Sequence, residues 1–145
     1  MAGLWAVSAE AQSPGFVELS VTAMGAGAAA LGASGESRMP LRPSEVGHNL
    51  GVLRFRAHSG RGNVRDLVLE TPTAVTGERT PTGGPTVLRF TFASGQTLEP
   101  RPGEGWVTLT SWDGTRAVGE FEATLVQGRM TLHASGRFEA TAGAR

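Results

Sequence analysis

Short runs of alternating apolar and polar residues, separated by glycine and proline, constrain the fold of this chain more than any other feature. The 145 residues include 21 glycines and eight prolines, and most of them lie between these runs. Successive side chains of a strand point to opposite faces, whereas an amphipathic helix repeats about every 3.6 residues. No helical period is sustained beyond residue 15. The pattern therefore predicts a domain that is nearly all β.

Seven segments have the composition of strands. They are Phe16–Ala23, Leu50–His58, Val64–Thr71, Thr86–Ala93, Trp106–Trp112, Arg116–Val126 and Arg129–Thr141. Short strands separated by turn signals predict an all-β fold, either an antiparallel β-sandwich or a partly open barrel, of about seven to nine strands. Two stretches lack the strand pattern. Gly25–Glu36 is predicted to be a loop or one short helix, and Thr73–Pro85 a long connection or an irregular edge.

The alternation also predicts which side of each strand is buried. One-sided strands are typical of an antiparallel sheet that has one face in water. The residues expected in the core are Leu53, Phe55, Leu67, Leu69, Leu88, Phe90, Phe92, Val107, Leu109, Phe121, Leu125, Leu132 and Phe138.

The first twelve residues, MAGLWAVSAEAQ, are mostly small and apolar. Ala9-Glu10-Ala11 among them has the small-x-small form of a signal-peptidase site. We interpret residues 1–12 as a signal-peptide remnant or an N-terminal extension, and residues 13–145 as a single β domain. This interpretation favours a secreted or periplasmic protein. The alternative is a cytoplasmic protein whose N-terminal segment packs on the domain.

Charge and composition argue against several classes of function. Thirteen arginines balance thirteen acidic residues, so no net field favours nucleic acid, and no nucleic-acid partner is predicted. No run approaches the ~20 apolar residues of a transmembrane segment. The chain has no cysteine, which removes thiolate chemistry and zinc ribbons. Arginine without any lysine, isoleucine or tyrosine is typical of codon bias in a GC-rich genome.

Catalytic and cofactor motifs are weak or missing. The segment 24–30, MGAGAAA, contains the form G-x-G-x-x-A, but no amphipathic helix follows it, so we interpret it as a flexible loop and not as a dinucleotide site. There is no G-x-S-x-G elbow, and His48, His58 and His133 lack the spacing of metal ligands. The sequence predicts no catalytic residue, no metal and no cofactor.

The C-terminal hairpin provides the first part of a candidate site. With Gln127-Gly128 as a two-residue loop, the inner face pairs apolar residues throughout, for example Leu125 with Met130. The outer face then pairs Glu122 with His133.

The preceding hairpin extends this row to a third strand. With Asp113-Gly114 as its loop, an unbroken ladder would bury Trp106 and expose Val107. An extra residue at Gly119-Glu120 reverses both outcomes, and glycine is common at such bulges. The bulge places Trp106 beside Glu122 on the outer face.

The row formed by Trp106, Glu122 and His133 is a candidate sugar-binding site, and Trp112 is a further candidate ligand-binding residue. An aromatic ring stacks on pyranose C–H groups while polar neighbours bind the hydroxyl groups. The alternative is that Trp106 packs under a loop or the other sheet. Glu122 and His133 would then form a surface ion pair of little energetic value.

Two motifs near the C-terminus resemble the closing strands of small exported bacterial β-sandwich proteins, many of which are lipoproteins. They are the segment 113–125, DGTRAVGEFEATL, and the later Gly136-Arg137-Phe138. In those proteins a V-x-G-x-F-x-A-T-L strand precedes a final strand that ends in G-x-F. The resemblance implies a β-sandwich and an exported location, and it implies no catalytic residue.

Two functions from different classes remain open at this point. The first is a non-enzymatic secreted or cell-envelope module that binds a protein partner or forms a homo-oligomer, for which exposed strand edges offer a route. The second is a carbohydrate-binding module or glycan-acting hydrolase that uses the Trp106 row. A Trp106 ring that faces solvent in a groove favours sugar, and a buried ring argues against it.

Overall fold

The computed structural model describes residues 15–25, 35–60 and 63–142, which contain no helix and therefore none that could cross a membrane. The strands are β1 (Gly15–Gly25), β2 (Gly35–Asn49), β3 (Val52–His58), β4 (Val64–Pro72), β5 (Arg79–Pro81), β6 (Val87–Phe92), β7 (Thr97–Leu98), β8 (Gly105–Trp112), β9 (Arg116–Gln127) and β10 (Met130–Thr141). They form one antiparallel sheet in the order β5-β8-β9-β10-β1-β2-β3-β4-β6-β7. The all-β, antiparallel prediction is confirmed, with ten strands in the described residues where about seven to nine were expected.

Strand β2 is the main element that the alternation did not predict. Its first part pairs with β1, for example Pro40 with Phe16, and its second part pairs with β3 from Leu41 onward. The register shifts between Leu41 and Val46. Such irregularities bend a strand. The bend in β2 lets this strand pair with both β1 and β3 while the sheet curls into a half-barrel.

The curl brings two parts of the sheet face to face around the core. We call β5, β8, β9, β10 and β1 the front half, and β3, β4, β6 and β7 the back half. The rings of Phe55 and Phe138 lie 5.1 Å apart between centroids, and those of Phe90 and Phe121 lie 6.3 Å apart. Tilted pairs at these distances are favourable. All thirteen residues predicted for the core are buried.

Two glycines let phenylalanine rings lie across neighbouring strands of the front half. Gly119 pairs with Phe138, and Gly136 pairs with Phe121. A Cβ atom added at Gly119 would lie 2.6 Å from Cζ of Phe138, and one added at Gly136 would lie 2.7 Å from Cζ of Phe121. The G-x-F spacing in both antiparallel strands thus places each ring over the glycine of the other strand.

The loop of the last hairpin lies one residue later than predicted. Gln127 pairs with Met130, so the loop is Gly128-Arg129. Gly128 has a φ of 60°. A type II′ loop needs a positive φ at its first residue, which glycine adopts without steric cost. The predicted loop placed this glycine second.

The later loop shifts the pairing of β9 with β10 by two residues. Glu122 pairs with Ser135, and His133 pairs with Thr124, so the predicted pairing of Glu122 with His133 is wrong. The predicted faces are nevertheless correct. Side chains alternate with a period of two, and a two-residue shift therefore leaves every side chain on its own face.

The hairpin between β8 and β9 shows the same displacement of its loop. The backbone N–H of Asp113 donates to the carbonyl of Arg116 at 3.3 Å, which makes Gly114-Thr115 the loop. Gly114 has a φ of 97°, again at the first loop position. The side chain of Asp113 accepts hydrogen bonds from the backbone N–H groups of Thr115 and Arg116.

The bulge predicted for this hairpin is present, but it lies on β8. The register shifts between Leu109 and Ser111, which leaves Thr110 as the extra residue. The prediction had placed it on β9 at Gly119-Glu120. The later loop and the bulge on the other strand shift the register in opposite directions. Beyond the bulge, Trp106 therefore pairs with Glu122 as predicted.

Two predicted segments fall partly or wholly outside the described residues. Residues 1–12, with the proposed signal-peptidase site, lie outside them, as do residues 26–34 of the predicted loop Gly25–Glu36. The stretch Thr73–Pro85 is an irregular edge that includes β5, as expected.

Candidate functional site

The outer face of the front half carries a row of four side chains across neighbouring strands. Trp106 of β8 pairs with Glu122 of β9, which pairs with Ser135 of β10, which pairs with Ser20 of β1. All four are partly exposed. The row places one aromatic ring, one carboxylate and two hydroxyl groups on one continuous surface.

A second row runs beside the first, two residues along each strand, and is dominated by charge. It contains Thr108, Glu120, Arg137, Glu18 and Arg38 in spatial order. Nε of Arg137 donates to Oε1 of Glu18 at 2.7 Å, and a terminal nitrogen of Arg38 donates to Oε2 of the same carboxylate at 3.0 Å. Glu18 therefore holds both guanidinium groups in place.

Except for Thr108, the residues of both rows line an open groove of about 630 Å³, which we call the outer-face groove. Ser20 and Ser135 are its short central side chains, while Trp106 and Arg38 stand on its outermost strands, β8 and β2. Short side chains between long ones produce a depression on a surface that would otherwise be flat. Apart from Trp106, the outward-facing lining is polar.

Trp106 is supported on one side by a cation. The guanidinium carbon of Arg79 lies 4.3 Å from the ring centroid, within the range of a cation–π contact. Arg79 belongs to β5, which flanks β8 on the side opposite β9, and it does not line the groove. The contact therefore supports the ring from outside the groove.

His133 lies beyond the groove and reaches it only through Glu122. Its Nε2 is 3.4 Å from Oε1 of Glu122, a diagonal contact between neighbouring strands. Both side chains are about half exposed, and exposed pairs of this kind contribute little to stability. Trp106 and Glu122 thus adjoin as predicted, whereas His133 is displaced by two residues from the row.

Trp112 does not join this site. Its ring packs partly against the core and lies 4.6 Å from the ring of His48, between centroids. Nε2 of His48 is in turn 2.9 Å from Oγ1 of Thr73. Trp112 is six residues further along β8 than Trp106 and, beyond the bulge at Thr110, faces inward.

The outer face of the back half carries several ion pairs. Asp66 accepts from Nε of Arg56 at 3.2 Å and lies 2.9 Å from Nδ1 of His58. Arg54 and Glu70 form another pair at 3.1 Å. No group of three or more histidine, aspartate or glutamate side chains in the described ranges is arranged to hold a metal ion.

Several groove residues were not predicted as site residues. Glu18 and Ser20 alternate with apolar residues in the predicted strand Phe16–Ala23, which favours an outer face for both, but nothing in the sequence indicates that β1 lies next to β10. Arg38 was missed because β2 lacks a strand pattern. Ser135 and Arg137 lie within a predicted strand, yet the two-residue error in register separated them from Glu122 and Glu120.

Comparisons with protein families, with curated proteins and with solved structures found no match to the chain.

Proposed function

We propose that this domain is a carbohydrate-binding module whose ligand lies in the outer-face groove. The observation that carries the proposal is the combination, in one open groove, of a supported tryptophan ring with hydroxyl, carboxylate and guanidinium groups. Ligand sites typically pair an apolar surface with a few oriented polar groups. A pyranose presents both kinds of surface, since its C–H groups are apolar and its rim is made of hydroxyl groups.

The polar side chains of the groove suit hydroxyl groups. Carboxylates accept and guanidinium groups donate, and hydrogen bonds to charged groups are about twice as strong as neutral ones. Because Glu18 holds Arg38 and Arg137 at hydrogen-bonding distance, these donors are oriented before a ligand arrives. Pre-orientation lowers the entropic cost of binding.

Self-association through strand edges has less support than the sequence alone indicated. Among the described residues, the edge strands of the sheet are β5, with three residues, and β7, with two. Short edge strands are one of the ways in which proteins avoid edge-to-edge pairing. A long exposed edge would have favoured the self-assembly hypothesis.

A protein partner or a second copy is the second candidate. Met24 and Val126 are large exposed apolar side chains, 59% and 39% accessible, and both pair with Thr131 on the outer face. Exposed apolar side chains grouped on one surface can mark interaction sites. Multi-angle light scattering tests this candidate: a dimer that Met24→Ser and Val126→Ser together dissociate would support it, and a wild-type monomer at all concentrations would refute self-assembly.

We further propose that the protein is secreted or periplasmic, as the motif Ala9-Glu10-Ala11 and the resemblance to exported β-sandwich proteins suggest. The natural mature chain should begin near Gln12, and removal of residues 1–11 should leave the melting temperature nearly unchanged. A large loss of stability after this deletion would contradict the proposal, because it would assign the segment to the core.

The binding proposal is tested with an array of glycans followed by titration calorimetry. Wild type should bind at least one oligosaccharide, Trp106→Ala should weaken binding at least tenfold, about 1.4 kcal/mol, and Trp106→Phe should retain part of the affinity. Thr91→Ala, on the outer face of the back half, is the control and should bind as wild type does. Absence of any bound glycan, or equal affinity in Trp106→Ala, would refute the proposal.

A further inference from the structure

The charges in the outer-face groove do not balance. Its lining includes three carboxylates, Glu18, Glu120 and Glu122, but only two guanidinium groups, Arg38 and Arg137. Both guanidinium groups are bound to Glu18, one to each carboxylate oxygen. The lining therefore carries one net negative charge, and Glu120 and Glu122 are the two carboxylates that neither guanidinium group binds.

These two carboxylates lie next to the tryptophan. Glu122 pairs directly with Trp106, and Glu120 lies two residues away on the same face of β9. Same-face neighbours on a strand are about 6.6 Å apart, so one small cation can contact both side chains. Glu120 is exposed and has no ion pair among the residues that the structure describes, and Glu122 has only the 3.4 Å contact with His133.

Trp106 itself favours a cation. The faces of an indole ring carry negative electrostatic potential and attract ammonium and guanidinium groups. Arg79 already occupies one such position, 4.3 Å from the ring centroid and outside the groove. The ring and both carboxylates thus attract a positively charged ligand group in the groove, while the charge of Arg79 opposes this attraction from outside the groove.

We infer that the glycan bound in the groove carries a free, protonated amino group, as an unacetylated hexosamine unit does. This inference rests on the proposed carbohydrate-binding function and names its ligand class. The sugar ring would lie against Trp106, and its ammonium group would donate to Glu122 and Glu120. Acetylation of the nitrogen removes the charge and would remove most of this preference.

Three probes of equal length separate charge from sugar recognition. They are a tetramer of glucosamine, a tetramer of N-acetylglucosamine, and tetralysine. Wild type should bind the glucosamine tetramer at least tenfold more tightly than the acetylated one in low salt. This ratio should decrease as salt is added, since ions screen exposed charges. Tetralysine should bind more weakly than the glucosamine tetramer.

Two isosteric variants locate the charge, and a third serves as the control. Glu122→Gln should reduce the preference for the free amine to within about threefold, because it should weaken binding of the glucosamine tetramer more than binding of the acetylated one. Glu120→Gln should act in the same direction. Glu99→Gln removes a carboxylate that pairs with Arg89 at 3.1 Å outside the groove, and it should retain the full preference. Melting temperatures confirm that each variant is folded.

The outcomes distinguish this inference from the proposed function. Equal affinity for both sugar tetramers, with loss of binding in Trp106→Ala, would leave carbohydrate binding in place and overturn the amine preference. Tetralysine binding as tight as that of the glucosamine tetramer would show nonspecific charge attraction and also overturn it. If no glycan on the array binds, both the inference and the proposed function fail.

Discussion

Replacing Gly119 with alanine should destabilise the fold, because a phenylalanine ring occupies the space above this glycine. A Cβ atom at position 119 would lie 2.6 Å from Cζ of Phe138 and 2.5 Å from the carbonyl oxygen of Thr108. Carbon atoms in contact normally stay about 3.5–4.0 Å apart. One methyl group would therefore meet a buried ring on one side and a neighbouring strand on the other.

The size of the effect follows from which of the two contacts can relax. Overpacking a core typically costs about 1–3 kcal/mol. Phe138 is fully buried, and the Thr108 oxygen belongs to the backbone of β8, so neither can move without displacing other atoms. We therefore expect a loss of about 2–3 kcal/mol in the free energy of unfolding. Natural domains have about 5–15 kcal/mol, so the variant should still fold.

Urea denaturation of Gly119→Ala, compared with Gly47→Ala, measures this loss. A Cβ atom added at Gly47 of β2 has nothing within 4 Å. Alanine there should be neutral or raise the free energy of unfolding by about 0.5–1 kcal/mol, since it restricts the unfolded chain. Unchanged slopes against urea would show that only stability differs between the variants.

A double mutant identifies the ring as the cause. The double mutant Gly119→Ala/Phe138→Leu should lose less free energy of unfolding than the sum of the losses in the two single mutants, by about 1 kcal/mol. The smaller leucine side chain relieves part of the overlap with the added methyl group. A Gly119→Ala variant within about 0.5 kcal/mol of wild type would refute the crossed arrangement of rings and glycines.

Three further predictions concern the core, a turn and a capped loop. Phe121→Ala should lower the free energy of unfolding by about 3–5 kcal/mol in urea, and a loss under about 1 kcal/mol would place this ring outside the core. Leu50→Asn should raise the free energy of unfolding by about 1 kcal/mol, because Leu50 has a φ of 54° and precedes glycine in a two-residue loop where asparagine is favoured. Leu50 is 93% exposed, so little packing is lost. An unchanged or lower free energy of unfolding would contradict this prediction. Hydrogen bonds from the backbone N–H groups of Arg116 and Thr115 lower the pKa of Asp113. A carboxyl group whose pKa is lower in the folded state stabilises the fold at pH values above its ordinary pKa. This stabilisation is lost as the pH falls through the lowered pKa of the folded state. The stability difference between wild type and Asp113→Ala should therefore shrink as pH falls below about 4, and a pH-independent difference would contradict the assignment.

The groove also bears on how a small domain can bind a ligand without a deep cavity. The inner face of the sheet is filled by buried side chains such as Phe55 and Phe90, and the proposed ligand therefore lies on the outer face. There, two serines between longer side chains form the depression. The front half forms this depression because Ser20 and Ser135 pair across β1 and β10, beside the longer Glu18 and Arg137 of the same strands.

Alternation along single strands was sufficient to predict the fold class and the core. Leu53 and Phe55 could be assigned to the inner face because a strand has a period of two and only one face is apolar. The outward face of Trp106 required a bulge in addition, because an unbroken ladder between β8 and β9 would have exchanged it with Val107. A face assignment depends only on local sequence, and it survives an error of two residues in pairing.

Register depended on turn geometry that the sequence leaves ambiguous. Gly114 and Gly128 both mark a loop, but glycine is favoured at either position of a two-residue loop. Both occupy the first position, so each loop lies one residue later than predicted. The residue pairs next to each loop are therefore shifted by two residues. The pairing of Trp106 with Glu122 was correct because the bulge at Thr110 compensates the displaced loop.

The groove was decided by contacts between residues that are far apart in the chain. Glu18 and Arg137 are separated by 119 positions and meet because β1 lies beside β10. Arg38 joins them through β2, where the strand changes neighbours and no alternation marks it. A local pattern reports which face a side chain takes, but strand order is set by how the whole sheet closes around its core. The sequence therefore determined the outward faces of Trp106 and Glu122, and only the tertiary structure placed Ser20, Arg38 and Arg137 beside them.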